Sequence, residues 1–314
     1  MLTNTTCSNE VNYCNDFFFK YALGSEDEDS TYIRNTIIER VTGIHPKESI
    51  VLNPNLDPTL LAQKQSILDI HVKDEQGHEY DFEMQTTFLQ ASEWKRFEYY
   101  GANMLSKQLV EGENYRQLQP IYQIIFVNAC PQNEERLINR YIMRDPYGEA
   151  ESKEPLLHRI YIQLPMIDEI AKEKGMEEMN DFEQVCYLFK NNENHAILKT
   201  KERLVRKLME KHEKFKDDEG LWSLAMSRQM AEWREKNNLL DSYDEGKKKG
   251  LEEGTQIGTT LGTVNLLATL IKQKFAIDAK EWLSTLSLSQ LYELSNQLLT
   301  CDTWEELQQA TKDE

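Results

Sequence analysis

Asp69, Glu83 and Gln85 are the residues whose types and spacing could do chemistry. They lie in SILDIHVKDEQGHEYDFEMQ, residues 66–85. Two alternating runs there flank a turn centred near Gln76–Gly77, which predicts a β-hairpin. In the second run Glu79, Asp81, Glu83 and Gln85 share one face, and Tyr80, Phe82 and Met84 share the other. In simple register Asp69 and Glu83 stand opposite each other, with Cβ atoms about 5 Å apart. Two carboxylates that close repel unless a cation lies between them. With Gln85 one pleat further on, they can hold a hard divalent ion and leave positions open for water and phosphate. A half-exposed hairpin shows the same alternation without any metal, so spacing alone leaves both readings open.

A helix predicted over Ser92–Glu111, ended by Gly112, carries a second cluster. Arg96 and Tyr100 are i and i+4 and share a face; Gln108 lies three turns on, within about 120° of Arg96. A guanidinium there suits bidentate contact with a phosphate, and pairing with an acidic residue of the sheet is the equal alternative. Tyr99, Tyr115 and Phe97 read as core residues. His71 and His78 have no further ligands of their type nearby and do not read as zinc ligands.

The elements that must position these residues change in texture near residue 165. Before it, helices are expected at Asp16–Ala22 and Thr31–Thr42, the latter with Ile33, Ile37, Ile38 and Val41 at helical spacing. Strands are expected at 49–53, 66–73, 78–86, 121–128 and 158–164. After it, helices are expected at Met166–Lys174, Asp181–Lys190, His195–Lys216 and Leu221–Lys236, with almost no strand signal. The run 199–216 holds eight basic and three acidic residues and reads as a solvated helix face before it reads as a nucleic-acid patch. Gly246, Gly250, Gly254, Gly258 and Gly262 follow at every fourth position, either a stripe open to close helix approach or a poorly helical linker. Leu261, Val264, Leu267, Ile271 and Phe275 then form an amphipathic face, as do Leu288, Leu291, Leu294 and Leu298. The expected organisation is residues 1–165, a helical extension over 166–244, and a glycine-rich segment with a helical tail over 245–314.

The whole chain has 314 residues and a net charge of −18, which excludes a protein that coats nucleic acid through bulk positive charge. No basic leader with an apolar core opens the sequence, and stretches such as IYQIIFVNA at 121–129 are too short to span a bilayer. The five cysteines are odd in number and form no CxxC pair. A reduced, cytoplasmic protein away from membranes is the expectation.

Taken together, Asp69, Glu83 and Gln85 resemble the active-site core of the PD-(D/E)XK nuclease superfamily. More narrowly, the chain resembles the Rpn group of recombination-promoting nucleases, also described as PD-(D/E)XK family transposases. DFFFK at 16–20, LDIHVKDEQGHEYDFEMQ at 68–85, KRFEYYGANMLSKQLVEGENY at 95–115 and EGKKKGLEEG at 245–254 carry the likeness, in that order, over residues 14–265. The resemblance implies a restriction-endonuclease-like α/β fold, with a mixed central sheet flanked by helices and an all-α C-terminal region. It implies DNA cleavage dependent on Mg²⁺ or Mn²⁺, with Asp69 and Glu83 as metal ligands and Asp16 as a further acidic member of the site. Gln85 stands where the superfamily's name places lysine; it can orient a water but brings no charge. A basic residue from elsewhere could compensate: Lys64 precedes the first strand by a few residues, and Lys20 lies one helical turn from Asp16. The same resemblance leaves a catalytically inactive interaction protein on the nuclease fold as the alternative. Because such a core cuts one strand per site, it also points to a homodimer formed through the C-terminal region.

Overall fold

The computed structural model describes residues 10–53, 70–86, 91–130, 135–150, 152–192, 197 and 199–309. Helix α1 (Asp16–Gly24) starts where the Asn15 side chain accepts the backbone N–H groups of Phe17 and Phe18. Helix α2 (Glu28–Thr42) is capped by Asp27 and ends at Gly43, whose φ of 82° lies in the left-handed region that favours glycine. Next come β1 (Ser49–Val51), β2 (Ile70–Asp74), β3 (Glu79–Gln85), α3 (Ala91–Lys107), β4 (Ile121–Val127), β5 (Ile138–Tyr141) and β6 (Leu157–Gln163). The strands form one mixed sheet in the order β1-β2-β3-β4-β6-β5. Strands β3, β4 and β6 run parallel, while β1, β2 and β5 pair antiparallel with their neighbours. Among the described residues its edges are the three-residue β1 and the four-residue β5.

The β2–β3 register is the one the sequence predicts: Ile70 pairs with Phe82, His71 with Asp81, Val72 with Tyr80 and Lys73 with Glu79. Asp74 fixes it. One carboxylate oxygen accepts the N–H groups of Gln76 and His78, both at 2.9 Å. The other accepts the buried Tyr80 hydroxyl at 2.8 Å and meets His78 Nδ1 at 2.8 Å. Gly77, at φ 92°, completes the turn. With the turn length locked, every residue of β3 is committed to one face.

The apolar face, with Tyr80, Phe82, Ile124, Phe126, Ile160 and Ile162, packs into the main core with α1 and α2. The same core includes residues of α4 (Met166–Lys174), α5 (Asp181–Asn191) and α6 (Arg203–Asp217). The basic residues of α6 have an architectural use. Lys211 meets Asp27 at 2.7 Å, and Lys207 and Lys214 meet Asp29 at 2.9 and 3.0 Å. Hydrogen bonds from Lys207 and Lys214 hold the Asp29 carboxyl below its ordinary pKa. These pairs join α6 to the N-terminal turn of α2, where negative charge is also favoured by the helix dipole.

His212 of α6 is buried, with Nε2 donating to the Val11 carbonyl at 2.8 Å and its ring stacked on Tyr13. Burial pushes its pKa down from 6.5, and burial does the same to His158. The unfolded chain therefore takes up protons below about pH 6.5 that the folded chain refuses. Stability should fall as pH drops from 7.5 to 5.5, and the fall should be shallower in His212→Asn. Thermal midpoints across that range check this; parallel curves for the two proteins would remove His212 as a source of the slope.

The chain divides into two compact units, residues 1–233 and 234–314. The long helix α7 (Glu219–Phe275) contributes to both. The second unit continues with α8 (Lys280–Leu283), α9 (Leu288–Gln297) and α10 (Trp304–Gln309). There Val264, Leu267 and Ile271 are buried with Leu283, Leu291, Leu294, Leu298 and Leu307. The amphipathic face of this segment is thus covered by the chain's own leucines, except that Leu261 stays exposed. The five glycines from Gly246 to Gly262 are helical, and a Cβ added at any of them meets nothing within 4 Å among the described residues.

Candidate active site

The polar face of β3 is buried rather than half-exposed. Glu79, Asp81 and Glu83 are 6%, 0% and 5% exposed. Helix α3 packs over part of this face, with Phe97 in a small cluster with Ile125, Val127 and Tyr161, and Trp94 against it. Gly101 permits the close approach, because a Cβ there would fall 2.9 Å from Gln123 Oε1. Three buried carboxylates on one strand are tolerable only with local compensation, and each has its own. Glu79 meets His71 Nε2 at 2.7 Å, with the Lys73 ammonium 3.9 Å away. Asp81 accepts a hydrogen bond from Gln123 Nε2 at 3.3 Å, and Gln123 Oε1 accepts one from Arg159 Nε at 3.2 Å. These three stand side by side on β3, β4 and β6. Glu83 has the Arg96 guanidinium 4.0 Å away.

Burial loosens at the C-terminal end of β3, at Met84 and Gln85. There Arg96 Nη2 donates to Gln85 Oε1 at 3.0 Å and meets Glu93 at 2.8 Å. Since Arg only donates, Gln85 must turn its carbonyl oxygen toward Arg96 and its amide nitrogen away. The guanidinium carbon lies 5.8 Å from the Tyr100 ring centre and 5.2 Å from that of Phe97, within cation–π range. The structure therefore gathers Glu83, Gln85, Arg96, Tyr100 and Glu93 where the covered face begins to open.

Among the other candidate residues, Asp16, Lys20 and Gln108 are held by partners outside this cluster. Asp16 and Lys20 pair with each other on α1 at 3.2 Å, on the helix that packs against the apolar face. The Gln108 amide is engaged by the backbone of Gln119, accepting its N–H at 2.9 Å and donating to its carbonyl at 3.2 Å. Asp69 and Lys64 lie outside the described residues. Phe97 is core as expected, whereas Tyr99 and Tyr115 are exposed. His71 and His78 serve Glu79 and Asp74. Sequence reasoning missed Glu93, Gln123 and Arg159. Glu93 and Arg96 are i and i+3 on one helix, and Gln123 is a polar residue inside the apolar run IYQIIFV; both signals were present.

Among the described residues no group of three or more His, Cys, Asp or Glu side chains is arranged to hold a metal. The donors at the open end, a Glu83 carboxylate and the Gln85 amide oxygen, are hard oxygens of the kind Mg²⁺ and Mn²⁺ take. The chemistry of the donor set thus fits a hard divalent cation, with a second carboxylate required to complete it. No helix among the described residues is long and apolar enough to cross a membrane.

Residues 13–242 match the family described as PD-(D/E)XK nuclease family transposase, and the chain belongs to that family. Comparisons with curated proteins and with solved structures return no match.

Proposed function

We propose that this family member is a DNA endonuclease that hydrolyses phosphodiester bonds with Mg²⁺ or Mn²⁺ and serves recombination or the movement of DNA elements in the cytoplasm. The observation that carries the reading is the gathering of Glu83, Gln85 and Arg96 at the open end of β3. Glu83, with Asp69 as the second carboxylate, holds the cation. When bound, the cation lowers the pKa of a water and draws charge from the phosphate oxygens. Gln85 points its amide nitrogen away from Arg96 and orients the water by donating to its oxygen. Arg96, within cation–π range of Tyr100 and 35% exposed, reaches a DNA phosphate. In the same reading Asp16 is an acidic member and Lys20, Lys64 and Gln108 are substrate contacts, for which the Asp16–Lys20 pair and the Gln108 amide must release their present partners. Supercoiled plasmid incubated with Mg²⁺, Mn²⁺ or EDTA tests the reading: nicking with either metal and none with EDTA is expected. Intact plasmid under all three conditions would favour the rival, a nuclease fold kept for binding, which the uncharged Gln85 supports.

In the same reading two copies act together, one per strand, through the C-terminal region. The open glycine stripe allows close helix approach, while burial of Val264, Leu267 and Ile271 within the chain leaves that face unavailable. Light scattering should give twice the 36.9 kDa chain mass, and one copy for a chain ending at Asp244. A full-length monomer at micromolar concentration would end the dimer.

A further inference from the structure

We propose that Arg96 is a guard cation: its guanidinium binds the Gln85 amide oxygen and stands beside the Glu83 carboxylate until a divalent ion displaces it, so that this arginine sets the metal affinity of the site. The inference rests on the nuclease reading above and adds a regulatory device to it. Nη2 sits 3.0 Å from Gln85 Oε1 and 4.0 Å from Glu83 Oε2, on the two side chains whose oxygens would face the metal. A divalent cation and a guanidinium cannot share those oxygens without strong repulsion. The arginine also has somewhere to go. Glu93 holds it from its own helix at 2.8 Å, so it can leave the β3 oxygens without losing every anionic partner. Its Nε–H is buried and meets no acceptor among the described residues, an unmet donor that a phosphate oxygen would satisfy together with Nη2.

Linkage follows from this geometry. A phosphate that draws the guanidinium off Glu83 favours the metal, and a metal that ejects the guanidinium favours the phosphate, each by the same factor. The free protein therefore holds the metal weakly, and loading is completed on DNA. A purely architectural arginine, tying α3 to the sheet, would do the opposite: removing it would loosen Gln85 and weaken the site.

Calorimetric titration of the full chain with Mn²⁺ decides. Arg96→Gln should bind Mn²⁺ about tenfold more tightly than the wild type at low salt, since a positive charge beside the oxygen donors is lost. Arg96→Lys, which keeps the charge, should stay near the wild-type affinity. Thermal midpoints show that each variant is folded, and Arg96→Lys serves if Arg96→Gln is not. Equal or weaker binding by a folded Arg96→Gln, or a tightening by Arg96→Lys as large as that expected for glutamine, would overturn the guard role. Glu83→Gln separates the two ideas. Loss of Mn²⁺ binding in Glu83→Gln together with unchanged binding in Arg96→Gln defeats only the inference. Wild-type binding in Glu83→Gln defeats the nuclease reading and the inference with it.

Discussion

Replacing Glu83 by glutamine is expected to reduce metal-dependent plasmid cleavage on the order of a thousandfold, the scale of losing several kcal/mol of charge stabilisation in the transition state. The substitution keeps shape and volume, so it removes a charge and little else. Glu83 is nearly fully buried, and its removal leaves Arg96 with Glu93 and Gln85 as partners. The guanidinium is therefore not stranded, and the thermal midpoint should stay close to that of the wild type. Asp69→Asn should behave alike. Initial nicking rates at saturating Mg²⁺, read beside circular dichroism melts, make the measurement. Wild-type rates in a natively stable Glu83→Gln would take Glu83 out of the chemistry.

The largest loss of stability is expected at Arg34. Its side chain is fully buried, and its donors are satisfied at several points. Nε donates to Ser49 Oγ at 2.9 Å, Nη1 to the carbonyls of Leu23 and Ser25, and Nη2 to the Ser49 carbonyl, Thr31 Oγ1 and Glu26. The Leu23 carbonyl belongs to the last turn of α1, which has no partner further along its own helix, and the Ser49 carbonyl opens β1. One guanidinium thus joins a helix end, a loop and an edge strand. Arg34→Met should destabilise the first unit by roughly 3–5 kcal/mol, because buried acceptors lose their donor together. Lysine should not rescue it, since a single ammonium cannot reach the spread of acceptors that a planar fork does. A urea melt of Arg34→Met within about 0.5 kcal/mol of the wild type would show that water replaces the network without cost.

How far the sequence foretold this varies by element. The β2–β3 pairing was legible because Asp74 and Gly77 have the chemistry of a fixed-length turn and the alternation is strict. The burial of Glu79, Asp81 and Glu83 was not. Alternation says which residues share a face, and only the helix laid across it says whether that face is wet. Arg34 sits four and seven residues before Ile38 and Val41, on the same stripe of α2. A charge on an apolar stripe signals a buried network, yet its acceptors come from three separate segments that no local pattern joins. Strand β5 went unread because INRY, half polar at a sheet edge, has neither a buried run nor clean alternation. At the site, Gln85 and Glu83 were found by motif, whereas their tie to Arg96 depends on how α3 crosses the sheet, which spacing within the helix does not encode.

Strands β1 and β5 end the sheet among the described residues, and their brevity has a consequence for the protein in concentrated solution. An open strand edge is a template on which another polypeptide can lay down backbone hydrogen bonds, and long flat edges seed fibrous aggregation. Here an incoming strand would find a run of only three or four residues on either side, too short a ladder to hold a stranger against thermal motion. The native sheet is poorly suited to growth by accretion. Ribbon-like aggregates, if heating produces them, must be built from chains that have first opened their centre, where β3, β4 and β6 keep seven-residue strands locked between neighbours.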